Sequence, residues 1–269
     1  MLFAMAVTRV NKLVKSIRFI RLMLHIASGL LQSLLLPYTS TARQNHMICK
    51  WAQKFLHILN VKLSSGGSLP ACNQQGVLFV ANHTSWLDII VILALYPVRF
   101  VAKAEISTWP VLGWLCRSAG TLFIERKKRG DTLRVNQKID GMLKAGCSVA
   151  IFPEGATCNG DVLLHFHASL LQPVVTAKAL LCPIAIRYSN RDGSRNTSVV
   201  YVTVTILQSL MLILNEPEIQ AELNFMSPIP GDDKNRRELA RLAEKAIAQA
   251  LSLKIMHTVP EIPSCLPVE

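Results

Sequence analysis

Apolar residues at Val10, Leu13, Val14, Ile17, Ile20, Leu24, Ala27, Leu31 and Leu35 recur at three- and four-residue steps and fall on one stripe of a helix, with Lys12 and Lys15 off it. Pro37 ends that helix. A second helical pattern, from Thr41 to about Leu59, carries Met47, Ile48, Trp51, Phe55 and Ile58 and predicts a partner beside the first. Beyond about Val61 the period shortens. Apolar runs at 77–81, 99–102, 121–124, 148–152, 183–187 and 199–204 predict strands, and 85–95, 131–145 and 235–253 predict helices. This alternation predicts an α/β fold, a mixed and mostly parallel sheet flanked by helices, with a basic amphipathic helical pair at the N-terminus. The expected organisation is membrane-associating helices over 1–60, one α/β domain over 61–257 and a loose tail over 258–269.

Composition narrows the picture. A chain of 269 residues with 51% hydrophobic side chains has room for one substantial core and an appendage. The mean hydropathy of +0.33 with 17% charged residues is oilier than a typical soluble domain. No stretch approaches about 18 uninterrupted apolar residues, so contact with a membrane is expected over crossing it. The run 22–36 has the outline of a signal segment, but His25 and Gln32 interrupt it, and the helical stripe accounts for it better. Arg21 falls on that stripe and has to snorkel toward headgroups.

The net charge of +12 is uneven, because no Asp or Glu precedes Asp88 whereas nine Lys and Arg residues from Arg9 to Lys62 do. A cationic, apolar segment is drawn to anionic lipid, each cation near such a surface contributing on the order of 1 kcal/mol. Nucleic acid is not expected as a partner, since these cations alternate with Leu, Ile and Met and no nucleic-acid motif is present. Seven cysteines without a Cys-x-x-Cys pair read as reduced thiols facing a cytoplasm. His165 and His167 lack Cys or acidic neighbours at ligand spacing, so no metal is assigned.

Candidate chemistry starts where the strand at 77–81 runs into Asn82-His83 and then a helix, the kind of strand end at which α/β sheets place ligands. Asp88, one turn into that helix, is within reach of the His83 imidazole, and a carboxylate there fixes the tautomer and favours the cation. A competing account is local: Ser85-Trp-Leu-Asp88 fits a capping box that explains Asp88 without catalysis. Arg126, in the run 126–129, reads by itself as a surface cation, Glu154 and Gly155 as turn residues, and Pro183 as part of a buried strand.

Four blocks change that balance. Asn82-His-Thr-Ser-Trp-Leu-Asp88, Gly120-Thr-Leu-Phe-Ile-Glu-Arg126, Phe152-Pro-Glu-Gly155 and Cys182-Pro-Ile-Ala185 resemble, in order, the successive blocks of the glycerolipid acyltransferases, specifically the bacterial lysophosphatidic acid acyltransferases. Lys103-Ala-Glu105 and Trp109-Pro-Val-Leu-Gly113 also look like that family, and the resemblance covers about residues 75–190. It implies that His83, backed by Asp88, is the general base of an O-acyltransferase. It further implies that Arg126 holds the acceptor's phosphate, that Glu154 is an acceptor-binding carboxylate, and that Gly155 lets the backbone approach the substrate. Pro183 and the residues after it would line an acyl-chain pocket, and Lys103 and Gly120 join the substrate-binding set.

The implied reaction moves a fatty acyl group from acyl-CoA or an acyl carrier protein thioester to the hydroxyl of 1-acyl-sn-glycerol-3-phosphate, with no cofactor. The implied place is the cytoplasmic face of the inner membrane, peripheral or with one N-terminal anchor. The sequence departs from the family in one respect: Ala156-Thr157 follows Gly155 where Thr-Arg is common. The missing cation opens lyso-ornithine lipid as an alternative acceptor. A non-catalytic lipid- or membrane-binding module is the alternative of another class.

Overall fold

The structure, a computed structural model, describes residues 10–68, 76–125 and 130–256. Helix α1 spans Lys12–Leu35 and begins where the Asn11 side chain accepts the Leu13 N–H at 3.1 Å. A turn over Leu36–Tyr38 stops it, and Ser40 caps α2, Thr41–Leu59, by accepting the Arg43 N–H. The predicted stripe of α1 faces outward: Leu13, Leu24 and Leu31 are 66, 67 and 68% exposed, whereas Leu22, His25, Gly29 and Ser33 are buried. The buried row is small and polar because α2 presses close. A Cβ on Gly29 would lie 2.5 Å from Trp51 Nε1. His25 Nε2 donates to the Trp51 carbonyl at 2.9 Å, Trp51 Nε1–H donates to the His25 carbonyl at 3.2 Å, and the two rings stack with centroids 5.0 Å apart.

Among the described residues ten strands follow: β1 Val61–Gly67, β2 Val77–Ala81, β3 Arg99–Lys103, β4 Leu122–Ile124, β5 Val149–Ile151, β6 Val162–Leu164, β7 Leu180–Ser189, β8 Ile219–Phe225, β9 Ile229–Pro230 and β10 Lys254–Met256. The main sheet has the order β1-β8-β7-β2-β5-β3-β4, with β9 beside β7; β6 and β10 pair separately. From β7 through β2, β5 and β3 to β4 every pairing is parallel, while β8 is antiparallel to β7 and parallel to β1. The sheet is mixed and mostly parallel, as expected.

Helices cover both faces. On one, α2 and α3 (Leu87–Leu95) share a buried cluster with Phe79 of β2 and Leu22 of α1, so the N-terminal pair and the α/β part have a common core. On the other lie α5 (Asp131–Lys144) and α8 (Arg236–Leu251), whose Ile139, Leu239 and Ala243 pack with Leu78 and Leu181. Shorter helices are α4 (Leu112–Ser118), α6 (Gln172–Thr176) and α7 (Ile206–Asn215).

Three differences from the sequence reading stand out. Residues 199–204 do not form a strand, because β2 and β8 already occupy both sides of β7, and the segment instead crosses to the end of β2, where the Tyr201 N–H donates to the Thr84 carbonyl at 2.9 Å. The strand role falls to β8, in which Ile219, Ala221, Leu223 and Phe225 point inward in strict alternation. Helix α7 was also not anticipated. Its start is a capping box in which Thr205 Oγ1 accepts the Gln208 N–H at 3.3 Å and Gln208 Oε1 accepts the Thr205 N–H at 2.8 Å.

Candidate active site

Strand β2 delivers His83 to an edge where β2 and β5 end together beside the longer β7, Val80 lying opposite Ile151 of β5 and Pro183 of β7. Asn82 extends the ladder with its side chain, donating from Nδ2 to the Ile186 carbonyl at 3.0 Å and accepting the Ile186 N–H on Oδ1 at 2.8 Å. From the β5 side, Glu154 Oε1 accepts the His83 N–H at 2.6 Å, and the Cys158 N–H donates to the His83 carbonyl at 2.9 Å. Both main-chain groups of His83 are thus held by the segment that follows β5, while β7 holds the neighbouring Asn82.

His83 Nδ1 lies 2.8 Å from Asp88 Oδ2, with the Asp88 side chain fully buried and the imidazole 18% exposed. The same oxygen accepts the Thr84 and Ser85 N–H groups at 2.8 and 2.9 Å, and Ser85 Oγ accepts the Leu87 N–H at 3.2 Å. The capping arrangement and the His–Asp pair therefore coexist, one carboxylate serving both. Asp88 Oδ1 accepts the Tyr188 hydroxyl at 2.8 Å. Burial first, and then the Asp88 charge, push the Tyr188 hydroxyl well above its ordinary value, so it stays a donor. A carboxylate held by four donors makes Nδ1 the protonated nitrogen, which leaves Nε2 with a free lone pair. Sequence reasoning missed Tyr188, which carries no local signal beyond an inward position on β7.

The His83 ring lies flat on Phe152, centroids 4.0 Å apart and planes 11° from parallel, and Phe152 continues the stack to Phe100 at 5.9 Å. The stack orients the imidazole, and an aromatic face attracts positive charge. Phe152 was quoted in the third block but given no role. Glu154 is buried, and its second oxygen accepts the Leu164 N–H at 2.9 Å. Burial pushes its carboxyl up to about 8, the Asp88 and Glu244 charges adding to the rise against the two main-chain hydrogen bonds.

His83 sits on the wall of a cavity of about 300 Å³, within the range of small-molecule sites. Its lining is largely apolar and comes from α1 to α3, including Ile48, Trp51, Trp86 and Ile90, with Phe100 and Phe152 at the sheet end. Lys103, at the end of β3, and Gly155 share this wall with His83. Gly155 has φ +81°, a left-handed turn after Glu154. Three other expected site residues do not line it. Glu154 is turned under His83. Gly120 closes α4, with φ +77° and no room for a Cβ, which would lie 2.7 Å from Arg99 Cδ. Pro183 is buried in β7 on the alternation of Leu181 and Ala185, which face the α5–α8 layer. Arg126, on which the phosphate reading rests, lies outside the described residues.

His165 and His167 belong to a separate place. His165 Nδ1 is 3.1 Å from Oε1 of Glu244, a buried residue of α8 that also accepts the Phe166 N–H at 2.8 Å. Among the described residues no three His, Cys, Asp or Glu side chains converge as a metal site, and Cys49, Cys116, Cys147, Cys158 and Cys182 are free thiols. The Cys158 main chain touches His83, but its thiol points to Asn159 Oδ1 at 3.4 Å.

Known proteins carry the same plan. The acyltransferase family profile matches residues 61–187. A lyso-ornithine lipid O-acyltransferase of Pseudomonas aeruginosa is 37% identical over 202 residues, 75% of this chain and 76% of that protein. A 1-acyl-sn-glycerol-3-phosphate acyltransferase of Neisseria meningitidis is 36% identical over 183 residues, 68% of this chain and 71% of its own. The crystal structure of the 1-acyl-sn-glycerophosphate acyltransferase from Thermotoga maritima superimposes with a TM-score of 0.67 at 20% identity, covering 90% of this chain and 95% of the other, a likeness of fold. With His83 and Asp88 joined at a strand end beside an apolar cavity, and with relatives of this identity along three-quarters of its length, the chain belongs to the glycerolipid acyltransferase family.

Proposed function

We propose that the protein transfers a fatty acyl group from an acyl thioester to the free hydroxyl of a lysolipid, with 1-acyl-sn-glycerol-3-phosphate as acceptor and acyl-CoA or an acyl carrier protein as donor. The observation that carries the reading is His83, with Nδ1 committed to Asp88 and its ring on an apolar cavity wall. Nε2 takes the proton of the lipid hydroxyl as that oxygen forms its bond to the thioester carbonyl carbon. The tetrahedral centre then collapses with cleavage of the C–S bond, and the imidazolium returns the proton to the departing thiolate. The positive charge that arises midway is met by Asp88 and by the Phe152 face. General-base assistance of this kind contributes about 10²–10⁴-fold. The apolar lining suits an acyl chain, and Lys103 offers a cation on the same wall for an anionic headgroup.

A second acceptor, lyso-ornithine lipid, is favoured by one observation. Ala156 lines the cavity without charge, and the Thr157 hydroxyl donates to the Tyr201 carbonyl, so neither residue supplies the cation common after this block. Labelled thioester offered beside lysophosphatidate and lyso-ornithine lipid distinguishes the two. His83→Ala is expected to remain folded and to lose at least about 100-fold in turnover on the better acceptor. A folded variant with unchanged turnover overturns the assignment, and a wild-type protein inactive on both lipids overturns the acceptor reading. We further propose the cytoplasmic face of a membrane as its place, supported by the outward apolar stripe of α1 and the cations that flank it.

A further inference from the structure

Helix α7 has an outer face that a water-exposed helix should not have. Its ten residues contain no charge; Leu207 is 58% and Leu212 41% exposed, and Ile206 at its start is 36% exposed. The inner face is conventional, with Ser209, Ile213 and Leu214 buried and Ser209 Oγ accepting the Trp86 Nε1–H at 3.0 Å. Its position is set by α1. Arg18, on the inward side of α1, donates from its two terminal nitrogens to the Glu216 carbonyl at 2.7 Å and the Pro217 carbonyl at 3.2 Å, and the Val10 N–H donates to the Asn215 carbonyl at 3.2 Å. The carbonyls of Asn215, the last residue of α7, of its C-cap Glu216 and of Pro217 are therefore satisfied by a cation of α1 and an N–H just before it, at the negative end of the α7 dipole. Two helices far apart in sequence are locked side by side, and among the described residues nothing covers their apolar faces.

We infer that α7 is a third membrane-contacting helix, seated with α1 in the same lipid surface, and that Leu207 and Leu212 enter the acyl region of the leaflet. The inference rests on the proposed work at a membrane and extends the contact beyond the N-terminal pair. The occupant is a bilayer because the patch continues the long outward stripe of Leu13, Ile17, Ile20, Leu24, Leu31 and Leu35, and because exposed cations lie beside that stripe at Lys12 and on it at Arg21, whose stem can snorkel to headgroups. Acidic protein partners fit cations but not this row of leucines. The arrangement also bears on how α1 lies. The row of α1 opposite the stripe contains His25, Gly29 and Ser33, and Gly29, Gln32 and Ser33 line the catalytic cavity. A helix bound along one side to α2 and α7 and open to lipid along the other lies in the surface. Ile206 lines the cavity too, so α7 places the cavity wall at the lipid boundary from which a lysolipid enters.

The test is vesicle flotation of the full chain with liposomes of phosphatidylcholine and phosphatidylglycerol, comparing wild type, Leu207→Gln/Leu212→Gln and Leu24→Gln/Leu31→Gln. None of these four leucines touches the catalytic machinery. Removing two leucines from lipid is expected to weaken partitioning about tenfold or more in each double variant. Turnover of a short-chain, water-soluble lysophosphatidate is expected to stay within about twofold of wild type; loss of that turnover in wild type would count against the acyltransfer reading and leave the docking result standing. If the α7 pair partitions like wild type while the α1 pair does not, the inference is wrong. It is equally wrong if the α7 pair changes only the native mass in solution, which would make this face a contact between copies. Amide exchange over 203–215, slowed by vesicles if the helix docks and unchanged if it does not, gives an answer independent of any substitution.

Discussion

Glu154→Gln separates two jobs that one carboxyl performs in this site. In the native structure both oxygens accept main-chain N–H groups, from His83 at 2.6 Å and from Leu164 at 2.9 Å, yet burial holds the group's pKa up at about 8 against an ordinary 4.5. An acid whose folded pKa exceeds its unfolded one binds a proton on folding, so stability is greatest below about 4.5 and falls as pH rises toward 8. The ceiling on that loss follows from about 1.4 kcal/mol per unit, or about 5 kcal/mol over the interval. Glutamine cannot titrate, but its NH₂ faces one of the two N–H donors and leaves it unpaired, a cost of about 1–3 kcal/mol that does not change with pH. Wild type is therefore expected to be the more stable below about pH 5, by about 1–3 kcal/mol, and the variant above about pH 8, by up to about 4 kcal/mol. Urea unfolding of both proteins in one detergent, followed by tryptophan fluorescence from about pH 4.5 to 9, reads the difference directly, and other titrating groups cancel between them. A difference that is constant across that range would refute a raised pKa at Glu154.

Asp88→Asn removes the charge facing the imidazolium at 2.8 Å and puts an NH₂ among groups that all donate to the native carboxylate; turnover is expected to fall about 10³-fold, or about 4 kcal/mol, with a loss of about 1–3 kcal/mol in stability, and a folded variant within threefold of wild type contradicts the role of the pair. Tyr188→Phe leaves Asp88 Oδ1 buried without its donor, so a loss of about 1–3 kcal/mol in stability and roughly tenfold in kcat at constant KM is expected. If kcat does not move, the tyrosine supports only the fold. Gly120→Ala forces a Cβ onto Arg99 at φ +77°, which should lower stability by about 1–2 kcal/mol or more in denaturant titration without changing kcat per folded molecule; a drop in kcat would restore Gly120 to the substrate-binding set.

What could be read in advance was what is local in the chain. His83 and Asp88 are five residues apart, and a strand running into a helix is enough to bring them together. The outward stripe of α1 was legible for the same reason, since one helix's periodicity needs no partner. Tyr188, a hundred residues from Asp88, meets it only because β7 pairs with β2, and that register is a property of the whole sheet. The same holds for the His83–Phe152–Phe100 stack, assembled from three strand regions. The miss at 199–204 has a different origin. Alternating valines there match a strand as well as 219–225 does, but a strand needs an open edge, and β8 takes the place beside β7.

Glu154 and Pro183 show why a motif position does not reveal direction. Both follow strands or lie in them at the end of the sheet where ligands bind, so a ligand contact is the natural expectation for each. Strand alternation turns Pro183 to the α8 side. The gap left at the end of β2 turns Glu154 toward the His83 N–H, an unpaired donor that would otherwise be buried beneath the proposed general base. The chain thus meets the demand for a rigid base twice, with a neutral or anionic Glu154 fixing the backbone of His83 and Asp88 fixing its ring. Loss of either should be read out differently: Glu154 variants in a stability whose difference from wild type changes sign with pH, and Asp88 variants in the turnover of a protein that remains folded.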